Sequence, residues 1–99
     1  MTRQETFKKI EEEIAREKAA TLGRAGERLE AALAEVAALG AAIDRETDPE
    51  RRAALVREYE AARRHAASAR HTLVIQREAI GLRHHRDVDR LFPEPPARR

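Results

Sequence analysis

The chain has 99 residues, 41% of them hydrophobic, 38% charged and only 3% aromatic, with no Cys and no Trp. That excludes a disulfide framework, a thiol nucleophile and a thiolate metal site. The net charge of +2 is too small to imply a nucleic-acid partner by itself. Twenty of the apolar residues are Ala, against four Gly and four Pro in the whole chain, and such a composition favours long helices over sheet.

The N-terminal stretch Met1 to Lys18 alternates charges and lacks the apolar run of a secretory signal. No segment reaches the roughly 18 apolar residues of a membrane span. A cytoplasmic protein without a membrane partner is expected.

Apolar spacing predicts a first helix over about 4–45. Leu22, Gly26, Leu29, Leu33, Val36, Gly40 and Ile43 follow steps of four and three, the heptad pattern of a helix seam. Asp48-Pro49 then supplies an N-cap and a preset first helical residue, with Thr47 and Glu50 as a competing capping box. The turn is 46–48, and so short a connection makes the neighbouring helices antiparallel. A second helix follows over about 49–80, with the seam Leu55, Tyr59, Ala62, Ala66, Ala69, Leu73, Gln76 and Ile80. Laid antiparallel, Val36 meets Tyr59, Leu33 meets Ala62, Leu29 meets Ala66 and Leu22 meets Leu73, so that large residues mostly face small ones. Glu30 falls on the side of Arg63 and Arg70, where ion pairs would set orientation more than stability.

Ile80-Gly81-Leu82 reads as a left-handed helix cap, with Leu82 making the following apolar contact. Residues 1–82 thus form the hairpin and 83–92 a short C-terminal helix with Val88, Leu91 and Phe92 on one face. That helix is expected to fold over Phe7, Ile10 and Ile14, beyond the end of the second helix. Pro93, Pro95 and Pro96 stop it, leaving 93–99 as an extended Pro/Arg tail. The fold class is all-α: an antiparallel, Ala-rich two-helix coiled-coil hairpin.

A single seam half made of Ala is a thin core. Ala25, Ala32 and Leu39 flank the first seam, and Val56, Ala67, Val74 and Ile75 lie off the second. An apolar face wider than one partner can cover predicts another helix, hence a homodimer forming a four-helix bundle, or a different protein partner. Candidate partner-binding residues are Leu39, Val56, Val74 and the docking-peptide segment Leu91, Phe92, Pro93, Pro95 and Pro96.

The residues give no sign of an enzyme, cofactor, metal site or small-molecule substrate. The four His are His65, His71, His84 and His85. Their spacing puts no pair on one helix face, and none completes a Glu-x-x-His pair. Ser68 sits in an Ala-rich helical stretch without acyl-transfer context. There is no HExxH, P-loop or dinucleotide turn. The expected function is a non-enzymatic helical-hairpin protein-interaction module: an adaptor, assembly factor or small structural subunit. The alternative is a nucleic-acid or ribosome-associated binder. Arg63, Arg70, Arg77 and His84 recur every seven residues, with Arg57, Arg64 and His71 parallel to them. Aromatic stacking residues are missing from that face, and Glu58, Glu60 and Glu78 interrupt it.

Overall fold

The computed structural model describes residues 1–99 as three helices in a rod of 71 × 23 × 16 Å. Helix α1 spans Arg3–Arg45, α2 spans Pro49–Ala79 and α3 spans Arg86–Leu91. There is no strand. The hairpin is as the spacing predicts, with each helix boundary within a few residues.

Local chemistry accounts for the ends. At the start of α1, the Glu5 backbone N–H donates to Thr2 Oγ1 and the Thr2 N–H donates to Glu5 Oε2, a reciprocal capping box that satisfies two helix-end donors. At the turn, Asp48 rather than Thr47 is the cap: its carboxylate accepts from the Arg51 N–H at 2.9 Å, and Pro49 opens the helix. Glu46 braces the turn by accepting from the Asp48 N–H at 3.0 Å. At the far end Gly81 has φ +95°. The Leu82 N–H reaches the Arg77 carbonyl and the Gly81 N–H reaches that of Glu78, the Schellman arrangement. Leu82 itself is 41% exposed.

The core runs along one seam in two contiguous clusters. Ala32, Val36, Ile43, Tyr59, Ala62 and Ala66 fill the turn-proximal half. Ala25, Leu29, Leu73 and Val88 fill the other. Leu29, Val36 and Ile43 are the most completely buried side chains, and all three lie on the predicted seam. Gly40 faces the Tyr59 ring and the Arg98 guanidinium: a Cβ there would make ordinary contact with the ring at 3.5 Å and a tighter one with Arg98 Nη2 at 3.3 Å. Long side chains lean toward the start of their helix, so the ring reaches one turn past Val36.

Ala25 and Ala32 correct the expected seam. They are core residues rather than a flanking strip, while Gly26 and Leu33 are only half-buried. Small side chains sit where the two axes meet, and the bulkier Leu22 and Leu33 pack at the edge of the core cluster that Val88 joins.

That segment also departs from expectation. It does not cover Phe7, Ile10 and Ile14. It reverses at Gly81 and runs back along the hairpin toward the turn, docking Val88 beside Ala25, Leu29 and Leu73. Every residue from 1 to 20 is therefore exposed. Leu91 does not share the buried face either: it is 65% exposed. Val88 is buried and Phe92 half-buried, so these two set the segment's inner side and Leu91 stays in solvent.

Candidate interaction surfaces

The C-terminal segment forms a strap fastened by arginines of α2. Arg77 donates from Nη2 to the His84 carbonyl at 3.1 Å and to Asp87 at 3.0 Å, and from Nε to His85 Nδ1 at 3.3 Å. His85 Nε2 lies 3.2 Å from Glu78 Oε1. Arg70 pairs with Asp89 at 3.1 Å. Arg63 donates from Nε to the Pro95 carbonyl at 3.0 Å and pairs with Glu60. Thus Arg63, Arg70 and Arg77, the candidate nucleic-acid stripe, hold the strap. The stripe's fourth member, His84, lies past the end of α2 and contributes its backbone carbonyl. Glu30 takes no part in these pairs, and none of the five ion pairs joins α1 to α2. The parallel residues Arg57, Arg64 and His71 stay exposed.

The strap's last residues close a clasp near the turn. The Tyr59 hydroxyl donates to the Pro96 carbonyl at 2.7 Å. Arg98 forks onto Asp44 at 2.7 and 3.3 Å, lies 5.8 Å from the Tyr59 ring centroid, and gives its backbone N–H to Glu60. Arg52 donates to the Arg99 carbonyl. Sequence reasoning missed this clasp. Its one available signal was the chain's single Tyr on the seam, because a buried phenol needs a hydrogen-bond acceptor.

Charges along the strap are tuned accordingly. The Arg98 hydrogen bond, aided by the charges of Arg98 and Arg52, holds Asp44 below its ordinary pKa against some desolvation. Glu60 is lowered first by the Arg98 backbone N–H and then by Arg63. At Asp87 desolvation opposes ionisation, but the Arg77 charge and the N–H groups of Asp87 and Val88 together prevail and lower it. The Asp44 hydrogen bond in turn raises Arg98.

The other candidate partner residues are scattered. Leu39 and Val56 are half-buried against the turn-proximal core, and Val74 is half-buried on α2. Within the strap, Phe92 and Pro95 are half-buried, while Pro93 and Pro96 are exposed. Leu91, Phe92, Pro93, Pro95 and Pro96 line an open groove against α1 with Leu33, Ala37 and Gly40. The docking-peptide residues thus lie on their own hairpin.

The largest exposed apolar stripe lies elsewhere. On the part of α1 that α2 leaves uncovered, Phe7 is 64%, Ile10 49% and Ile14 47% exposed. Their spacing puts them on one helix face. Ile14 shares a cleft with Ile80, so the stripe continues onto the end of α2.

No group of three His, Asp or Glu side chains is positioned to hold a metal ion, and no helix is long and apolar enough to cross a membrane. In comparisons with protein-family models, curated proteins and solved structures, the chain matches none.

Proposed function

We propose that the protein is a non-enzymatic helical-hairpin interaction module, an adaptor, assembly factor or small structural subunit. Its apolar end pairs with a second copy to extend the hairpin into a four-helix bundle. The observation that carries this reading is the stripe Phe7, Ile10, Ile14 and Ile80, unpartnered on a helix that runs past its neighbour. A helix stripe of this kind gains stability by burial against another helix. Two copies bring eight such side chains together, and a face this small describes a weak, reversible dimer.

Sedimentation or light scattering across a concentration series tests this. The wild-type chain should move from monomer to dimer, and Phe7→Ser with Ile10→Ser should stay monomeric with unchanged helicity. A wild type that remains monomeric at the highest concentration overturns the homodimer.

The nucleic-acid alternative loses support from the same geometry, since Arg63, Arg70 and Arg77 bond the strap. Salt-sensitive RNA binding that survives strap docking would restore it.

A further inference from the structure

Helix α1 is unbroken from Arg3 to Arg45 and runs past the end of α2 at Ala79. Eighteen residues make five full helical turns, so Phe7 lies in line with Ala25 and Ile14 with Ala32. Ala25 and Ala32 are buried in the seam that α1 shares with α2. The exposed stripe is therefore a continuation of that seam beyond the point where α2 stops. Ile14 marks the point, because it shares a cleft with Glu17 and Ile80. A helix in line with α2, as long as residues 1–14 or roughly 20 Å, would cover the rest.

The overhang of a second copy is such a helix. Docked parallel, it would drive the body of the second hairpin into α2; docked antiparallel, it points that body away. A face that pairs with itself closes as a two-fold dimer. The end of α2 limits how far the overhangs slide past each other. In the heptad register that sets Phe7 against Ile10 of the second copy, Ile14 faces its Arg3. Its Met1 then reaches the end of α2, beside the exposed Ile80 and Leu82. One heptad deeper, the second copy's N-terminus would run into α2. Charge selects the same register. It places Glu11 beside Gln4 and Glu13 beside Thr6, whereas the deeper one sets Glu11 against Glu11 and Glu13 against Glu13. Arg3 and Glu17 are exposed and have no ion pair in their own chain, and this register brings them within reach of each other across the junction.

We infer that two copies join end to end, each laying residues 1–14 antiparallel along those of the other as the continuation of α2, with Arg3 of each copy paired to Glu17 of the other. This rests on the homodimer reading above and gives its four helices one arrangement, in which the overlap is confined to the overhangs. Two rods of 71 Å overlapping over about 16 helical residues make a particle about 120 Å long.

The test uses the full chain, which has no cysteine of its own. Under mild oxidation, a mixture of Gln4→Cys and Glu11→Cys chains should form a mixed disulfide dimer, and Glu11→Cys alone should not crosslink. Small-angle X-ray scattering of the dimer should give a longest dimension near 120 Å. Glu17→Arg should weaken the dimer about threefold to tenfold, and Arg3→Glu added to the same chain should restore it. The inference fails if the dimer is little longer than one 71 Å hairpin, if Glu11→Cys crosslinks to itself while the mixture gives no mixed disulfide, or if the charge reversal is not rescued. Each of these leaves the homodimer standing in another arrangement. A wild type that stays monomeric at every concentration removes both readings and assigns the stripe to a different protein.

Discussion

The Tyr59 hydroxyl and the Pro96 carbonyl, 37 positions apart in sequence, are joined by a hydrogen bond of 2.7 Å. This bond ties the end of the strap to the turn-proximal third of α2, and it satisfies the only phenol in the core. Tyr59→Phe keeps the ring against Gly40 and removes that bond alone. The expected loss is about 0.5–1.5 kcal/mol, with faster amide exchange at residues 97–99 and little change in the hairpin. Denaturant melts paired with hydrogen exchange check this; equal acceleration along α1 and α2 would show that the clasp stabilises the whole fold.

The strap should also loosen in acid. Asp44, Glu60 and Asp87 all sit below their ordinary values of 3.8, 4.5 and 3.8, and all three bond the strap or its anchors. A carboxyl whose folded pKa is depressed contributes stability above its unfolded value, and that contribution disappears as pH falls through the folded value. The strap is therefore fully fastened above about pH 5 and loses these three holds as pH drops below about 4. Because these carboxylates lie near solvent, the effect is small and salt-sensitive. Following the side-chain carboxyl carbons by NMR, together with strap amides, should show both changing over the same pH range. A strap still docked after all three have titrated would assign its hold to Val88 and the neutral hydrogen bonds.

Most of the hairpin was readable because its signals are local or repetitive. Asp48-Pro49 and Gly81 are short-range chemistry, and Leu29, Val36 and Ile43 repeat with a period that only a helix seam explains. The strap was not readable in the same way. Six helical residues flanked by His and Pro carry too little periodicity to define a docking face, and their partners are arginines on a distant segment. An exposed Arg is indistinguishable by spacing from one that grips a backbone carbonyl. Hence Arg63, Arg70 and Arg77 looked like a free basic stripe, and Phe7, Ile10 and Ile14 looked like the obvious apolar seat. Ala25 and Ala32 were misplaced for a related reason: where Ala is so frequent, small residues do not by themselves show which side of a seam faces the partner.

Val88 and Leu91, only three residues apart, should respond very differently to truncation. Val88 is buried against Ala25, Leu29 and Leu73, whereas Leu91 is mostly in solvent. Val88→Ala removes two buried methyl groups and should cost about 1.5–3 kcal/mol if strap and hairpin unfold together. Leu91→Ala should change stability by no more than about 0.5 kcal/mol. Thermal or urea melts of the two variants decide it. A large effect at Leu91 would mean that this residue is covered in solution by another chain.

Arg77 anchors the strap through a branched set of bonds to His85, the His84 carbonyl and Asp87. Lysine keeps the charge but offers one compact ammonium in place of a planar fork. Arg77→Lys should therefore release α3 in part, at a cost of about 1–3 kcal/mol to strap docking. Hydrogen exchange should rise over residues 86–92, while α2 stays protected up to Leu73.

Two glycines should give opposite signs when replaced by Ala. Gly26 lies inside α1, and a Cβ added there meets nothing within 4 Å. Helix propensity alone then governs, and Gly26→Ala should stabilise by about 0.8–1 kcal/mol. Gly81 has equally open surroundings, but its φ of +95° lies where an L side chain strains the backbone. Gly81→Ala should destabilise by about 1–2 kcal/mol, and it should act on the reversal that aims the strap back along α2. Melting both variants, with hydrogen exchange at Val88 as the readout of docking, separates a propensity effect from a geometric one: exchange at Val88 should quicken in Gly81→Ala, whereas in Gly26→Ala it should slow or hold steady.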